Sequence, residues 1–86
     1  MEGTTSSGFK YVIDEKALDD WELFEWLTEV DSGNVTYIIK VAKRLLGVKQ
    51  YDALKDHLRD SDGHLSLTLM SGAIEEIMNA SEEAKK

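Results

Sequence analysis

The spacing of apolar residues changes along the chain, and it predicts a short strand followed by helices. Residues 9–13, FKYVI, alternate large side chains with Lys10 and are rich in aromatic and β-branched types, which is typical of a strand. Residues 1–8 are small and polar, with too little apolar surface to offset the entropy lost on ordering. We therefore expect residues 1–8 to form a disordered tail ahead of one short strand, whose partner is either a second short segment of this chain or another subunit.

A first helix is predicted at residues 20–30. Asp19 can accept hydrogen bonds from the first-turn amides, and Glu22 can reach back to it, which is the spacing of a capping box. At 100° per residue the apolar positions fall on one stripe, opposite a row of glutamates. The stripe consists of Leu23, Phe24, Leu27 and Val30, and its two flanks carry Trp21 and Trp26.

Two further helices are predicted on either side of Gly47. Residues 35–46 carry a broad apolar face and follow Asn34, a favoured cap, so we expect them to form the central helix. Gly47 should end this helix, because glycine tolerates the left-handed conformation that a C-terminal cap requires. Residues 49–59 form a thinner helix. The inward residues are Val35, Ile38, Ile39, Val41, Ala42, Leu45 and Leu46 in the first of these helices, and Tyr51, Leu54 and Leu58 in the second.

The segment after residue 64 fits both a strand and a helix. Leu65, Leu67 and Leu69 alternate with polar residues, which is a strand pattern. Leu67 also begins an inward stripe at helical spacing that continues through Met70 to residue 78. We favour the helix, since Ser66 is a good N-terminal cap and Leu65 can pack against Met70.

Together these elements predict a mainly α fold, a small bundle of about four helices with a short N-terminal β-strand. A chain of 86 residues has room for one core, so we expect a single helical domain at residues 9–80. Residues 81–86, SEEAKK, should form a frayed C-terminal tail. The chain has no cysteine, which excludes disulfides and thiolate chemistry and fits a cytoplasmic protein.

The net charge of −7 is distributed unevenly along the chain. Residues 1–33 hold nine acids and two bases, residues 34–59 two acids and six bases, and residues 60–86 six acids and two bases. Such an acidic surface repels phosphate backbones, so we expect no nucleic-acid partner, and no apolar run suggests a membrane partner. The basic middle either pairs with the acidic ends or presents a positive face to an acidic partner, and we favour internal pairing.

The stretch DSDGHLS after residue 59 shares part of the pattern of a calcium-binding EF-hand loop. With Gly63 at position 6 of such a loop, Asp60 and Asp62 supply positions 3 and 5. Leu58 and Leu69 then occupy positions 1 and 12, where the loop needs oxygen ligands. The stretch is better explained as a turn between two helices.

Catalytic machinery is sparse in this sequence. His57 adjoins Asp56, but neighbouring side chains diverge on a helix, so we expect a structural role for this histidine. A metal-dependent enzyme would require Asp60, Asp62 and His64 to converge, although an exposed turn already accounts for their polarity. No glycine-rich phosphate loop is present. We expect no catalytic residue, no metal and no cofactor.

Surface aromatic and basic residues are the candidate contacts with a partner. Trp21 and Trp26 lie about 140° apart around their helix, so a small domain either covers both or leaves one exposed as a binding anchor. Tyr37 and Leu69 point away from the inward stripes of their helices. The candidate partner-binding residues are Trp21, Trp26, Tyr37 and Leu69, together with Lys40, Lys43 and Arg44 on the far side of the central helix.

Several short segments follow one another in a recognisable order through residues 8–80. They are DDWEL at residues 19–23, LLG at 45–47, QYDALKDHL at 50–58, DGHLS at 62–66 and MSGAIEEI at 70–77. Their order and spacing resemble those of the small tail assembly chaperones of long-tailed bacteriophages that infect Gram-positive bacteria. None of these segments is a catalytic motif.

The resemblance implies a binding function in the cytoplasm of the bacterial host. Chaperones of this family bind the long, aggregation-prone tape-measure protein, keep it soluble and pass it to tail-tube subunits, which makes the major tail protein a further partner. The sequence leaves homo-oligomerisation open. The alternative is a non-enzymatic regulatory or structural adaptor that binds a virion or host protein.

Overall fold

The computed structural model describes residues 1–84, which form a β-hairpin followed by four helices. The fold is mainly α, as the sequence predicted, with a two-stranded hairpin in place of the single expected strand. The elements are β1 (Glu2–Thr4), β2 (Lys10–Val12), α1 (Glu15–Leu18), α2 (Trp21–Asp31), α3 (Tyr37–Leu58) and α4 (Leu67–Ala84).

The prediction of a disordered tail at residues 1–8 is wrong. Strand β1 pairs antiparallel with β2, with Gly3 opposite Tyr11, and the Met1 nitrogen donates a hydrogen bond to Ile13 O at 2.8 Å. A side chain at position 3 would collide with the end of the Tyr11 ring, so any other residue there would require this ring to move. Thr5 is buried, and its hydroxyl accepts a hydrogen bond from the Phe9 amide. Backbone pairing therefore orders a segment that has little apolar surface of its own.

The turn of the hairpin is tied to two helices. Ser6 donates hydrogen bonds from its amide and its hydroxyl to the Glu76 carboxylate of α4, at 2.9 and 2.5 Å. These two bonds hold the pKa of Glu76 below its usual range, the hydroxyl contributing most. The His57 ring lies against Phe9 and its Nε2 is 3.0 Å from Ser7 O. His57 thus connects α3 to the hairpin.

Helix α2 follows the predicted range, but its cap and one face differ from expectation. Asp20, not Asp19, is the N-cap, and its carboxylate accepts a hydrogen bond from the Leu23 amide at 3.1 Å. Leu23 and Leu27 are buried, whereas Phe24 is exposed and contacts Trp21. Only the narrow part of the predicted stripe reaches the core, because α2 is covered on one side alone.

Helix α3 contains two helical segments that meet at Gly47. This glycine has φ 77° and ψ 159°, so the predicted interruption is confirmed, although the second segment continues directly from it. The first segment begins at Tyr37 rather than at Val35, with Thr36 as the cap instead of Asn34. Asn34 accepts a hydrogen bond from the Thr36 hydroxyl through its side chain.

The Gln50 side chain forms hydrogen bonds with backbone groups at two places where backbone pairing is interrupted, the edge of the hairpin and the break in α3. Its Oε1 accepts from Val12 N at 2.8 Å and its Nε2 donates to Val12 O at 2.7 Å, so its amide acts as a third strand beside β2. The same Nε2 donates to Leu46 O at 2.7 Å, next to the break at Gly47. One side chain therefore joins the edge of the hairpin to the middle of α3.

Helix α4 confirms the preferred helical prediction for the C-terminal segment. The Ser66 hydroxyl accepts a hydrogen bond from the Leu69 amide at 3.2 Å, as expected of a cap. The helix extends through residues 81–84, and Ser81 is buried, so the frayed tail is wrong for these four residues. Lys85 and Lys86, the rest of that predicted tail, lie outside the described residues.

The core is centred on α3. Helices α1, α2 and α4 and strand β2 all pack against it. The side chains most completely buried come from several elements, which fixes their mutual positions. The buried apolar residues include Tyr11 and Ile13 from the hairpin region, Leu23 and Leu27 from α2, Val41, Leu45 and Leu54 from α3, and Ile74 and Ile77 from α4.

Replacing Gln50 with methionine should loosen the hairpin from α3. We expect a loss of about 1 kcal/mol in the free energy of unfolding, since three hydrogen bonds of a half-buried group are exchanged for bonds to water. Urea denaturation measures this loss, and hydrogen exchange at the Val12 amide locates it. The control Lys49→Met should stay within about 0.5 kcal/mol. Unchanged exchange at Val12 would contradict the role given to Gln50.

Candidate functional site

An apolar groove of about 700 Å³ runs between the N-terminal segment of α3 and helix α4. The end of α2 and the loop after it also contribute to its lining. We call this feature the apolar groove. Its lining comprises Val30, Asp31, Val35, Thr36, Ile38, Ile39 and Tyr51 on one side, and Leu67, Met70, Ser71, Ile74, Glu75, Met78, Asn79 and Glu82 on the other.

Solvent-exposed aliphatic side chains form the edges of the groove. Val35 is 66 %, Ile39 48 % and Leu67 82 % exposed, while Ile74 and Met78 are buried at the floor. The sequence placed Val35, Ile39 and Leu67 on inward stripes, and the structure corrects that prediction. These helices do carry apolar stripes, but within residues 1–84 these three side chains of the stripes stay exposed.

The groove is open because of how the helices are arranged. Both α2 and α4 make their main contacts with α3 and not with each other. Two helices that flank a third leave a furrow between them unless another element fills it. Contiguous exposed apolar surface of this kind on a small domain marks an interaction site more often than chance exposure does.

Three acidic residues line the apolar groove. Asp31 comes from the end of α2, and Glu75 and Glu82 lie along α4. Within the described part of the chain, no lysine or arginine lines the groove. None of these three carboxylates forms an ion pair within residues 1–84. The groove is therefore apolar inside and negatively charged at its margin.

Five of the seven sequence-predicted contact residues come together on a second surface, the basic–aromatic patch. It consists of Trp26, Tyr37, Lys40, Lys43 and Arg44. The Lys40 ammonium lies 4.9 Å from the Tyr37 ring centroid and 5.8 Å from that of Trp26. Such cation–π contacts hold charged side chains over aromatic faces. Within residues 1–84, neither lysine of the patch is within ion-pair distance of a carboxylate.

Arg44 serves mainly to join α3 to α2. Its guanidinium forms an ion pair with Asp20, lies 3.7 Å from a Glu22 oxygen and stacks 4.7 Å from the Trp26 ring centroid. The Leu23 amide first and Arg44 second hold the pKa of the Asp20 carboxyl below its usual value. The predicted pairing of the basic middle of the chain with its acidic ends is therefore observed for Arg44. Lys40 and Lys43 instead present positive charge to solvent.

The two remaining predicted contacts lie apart from the patch. Trp21 is 73 % exposed and contacts Phe24 with ring centroids 5.7 Å apart. Trp26, by contrast, is half-buried and packs against the core. Leu69 is exposed on α4 but does not line the groove, although Leu67 two residues earlier does. The tryptophans thus divide into one that covers the core and one that faces solvent.

The turn between α3 and α4 uses its polar groups internally. The Asp60 carboxylate accepts hydrogen bonds from the amides of Asp62 and His64, at 2.9 and 3.0 Å. Arg59 donates to Gly63 O at 3.0 Å. Within residues 1–84 the structure brings together no group of three or more histidine, aspartate or glutamate side chains suited to a metal ion.

Comparison with protein-family models, curated proteins and solved structures finds no match to the chain. Among the described helices, none is both long enough and apolar enough to cross a membrane.

The groove is the part of the site that sequence reasoning did not find. A signal was nonetheless present, because seven of the twelve positions in residues 35–46 were assigned to one apolar face. A face this broad exceeds what one packed neighbour covers. The additional width of this apolar face indicates that part of it stays uncovered. Only the tertiary arrangement shows that the uncovered residues are Val35 and Ile39.

Replacing Asp20 with asparagine tests the tie between α2 and α3. Asparagine keeps the cap but removes the charge that pairs with Arg44, so we expect a lower urea midpoint at pH 7. Because folding lowers the pKa of Asp20 below 3.8, its contribution is present above that pH and is lost as the pH falls through the folded-state value.

The stability gap between wild type and Asp20→Asn should therefore narrow as the pH falls below 3.8 and close once the pH is below the folded-state pKa of Asp20. Urea denaturation between pH 7 and pH 2.5 measures the gap. Arg44→Gln, alone and combined with Asp20→Asn, completes a double-mutant cycle. A gap of constant size across this range would show that the Asp20 charge does not stabilise the fold.

Proposed function

We propose that this protein is a bacteriophage tail assembly chaperone that binds the tape-measure protein, keeps it soluble and promotes tail-tube assembly. The observation that carries the proposal is the uncovered apolar groove between α3 and α4. The resemblance of residues 8–80 to such chaperones supports it independently. The protein acts by binding, without catalysis, in the cytoplasm of the bacterial host, and the major tail protein is a further partner.

The groove suits an amphipathic helix of the client. Helix-in-groove recognition requires an apolar furrow with exposed aliphatic edges, into which residues at helical spacing insert. Val35, Ile39 and Leu67 provide such edges. Met70 and Met78 at the floor are flexible and polarisable, so the same surface can adapt to several client segments. A chaperone for a long helical protein needs this tolerance.

The acidic surface supports the same function. A net charge of −7 on 86 residues keeps a complex with an aggregation-prone client dissolved through mutual repulsion. The charges lie outside the floor of the groove, so apolar contact with the client is retained there.

The basic–aromatic patch favours a second candidate function, that of an adaptor for an acidic virion or host protein. Lys40 and Lys43 face solvent beside Trp26 and Tyr37, and aromatic residues next to bases are common in binding hot spots. The two functions differ in which surface a partner needs. Lys40→Gln with Lys43→Gln should weaken an adaptor interaction and leave groove binding intact.

The experiment that tests the chaperone function is co-expression with fragments of the tape-measure protein. Wild type should raise the soluble fraction of a fragment, and Ile39→Gln with Leu67→Gln should abolish that effect. Each exposed aliphatic side chain contributes about 1–1.5 kcal/mol to burial on binding, so affinity should fall at least about tenfold.

The matched control is Val48→Gln with Leu69→Gln. Both residues are exposed aliphatics on the same two helices, and neither lines the groove. This control should rescue the fragment as well as wild type does. Equal loss in both double variants, or rescue by neither wild type nor control, would refute groove-based chaperoning.

A further inference from the structure

We propose that the apolar groove selects a client helix whose apolar stripe is flanked by lysine or arginine residues. The identity of the client as a tape-measure segment rests on the proposed function. The preference for basic flanks rests on the groove itself, on the apolar lining of α3 and α4 and on the carboxylates at its margin.

The apolar part of the groove sets the length of helix that it accepts. Leu67, Met70, Ile74 and Met78 line it along α4 and span eleven residue steps, or about 16 Å at 1.5 Å per residue. A helix lying alongside would insert apolar residues over about three turns. This length corresponds to four apolar positions at spacings of three or four residues.

The margin of the groove sets the charge of that helix. Glu75 and Glu82 are seven residues apart, so they lie on the same side of α4 about 10 Å apart. Asp31 adds a third carboxylate at the end of α2. Two bases at a seven-residue spacing on the docked helix would face Glu75 and Glu82, whereas acids there would meet like charge.

The same charges argue against a second copy of this chain as the occupant. In a two-fold symmetric contact both protomers present the same groove, so a second copy brings three further carboxylates to the interface, and within the described residues its groove lining supplies no lysine or arginine to pair with them. A basic amphipathic helix meets no such penalty.

Three synthetic peptides of about 20 residues test the inference by fluorescence anisotropy. All three carry a fluorescein label. The first has a leucine and isoleucine stripe flanked by lysines at a seven-residue spacing, the second has glutamates in place of the lysines, and the third has the first composition with its stripe scrambled. The lysine-flanked peptide should bind at least about tenfold more tightly than either of the others. Its affinity should fall as salt rises from 50 to 500 mM.

Variants of the protein locate the effect at the groove. Glu75→Gln with Glu82→Gln should weaken the lysine-flanked peptide about three- to tenfold and remove most of the salt dependence. The control is Glu83→Gln, an exposed glutamate of the same helix that does not line the groove. Circular dichroism and urea denaturation of each variant confirm that folding is retained.

The outcomes separate this inference from the proposed function. Equal binding of the lysine-flanked and glutamate-flanked peptides overturns the charge preference, while rescue of a tape-measure fragment can still succeed. Failure of that rescue, together with selective binding of the lysine-flanked peptide, overturns the chaperone function and keeps the groove chemistry. The inference is also overturned if the scrambled peptide binds as well as the ordered one, or if no peptide binds.

Discussion

Burial of the apolar face of α3 is the interaction on which the rest of the structure depends. Helices α1, α2 and α4 and strand β2 all pack against this one helix, and several of its side chains, including Val41 and Leu54, are completely buried. The break at Gly47 and the Gln50 amide beside it allow α3 to contact both the other helices and the hairpin. A chain of this size is too small to form a second core that could stabilise the fold.

The same constraint produces the candidate site. Because α2 and α4 each pack on α3 rather than on each other, the N-terminal segment of α3 carries more apolar surface than its neighbours cover. The uncovered remainder, at Val35, Ile39 and Leu67, is the edge of the groove. Its exposure costs the isolated domain some hydrophobic stabilisation, which a docked helix recovers. The acidic margin then adds a charge preference to an otherwise tolerant apolar surface.

The successes of sequence reasoning lie where local interactions decide the structure, although it misplaced the caps of α2 and α3. The range of α2, the interruption at Gly47 and the Ser66 cap follow from side-chain periodicity, glycine conformation and capping, which act within a few residues. It failed where distant partners decide: residues 1–8 are ordered by pairing with β2 and by Glu76, and neither contact has a local signature. The groove also depends on distant partners, since hydrophobic periodicity identifies an apolar helix face but not the part of that face that other elements leave uncovered.

The central claim is that the apolar groove holds the client, and methyl NMR tests it most directly. A soluble tape-measure fragment would be titrated into protein labelled at valine, isoleucine, leucine and methionine methyl groups. The account predicts the largest shift changes at Val35, Ile39, Leu67 and Met78, with little change at Val48 and Leu69. Changes confined to Val48, Leu69 or methyls near the basic–aromatic patch would contradict it.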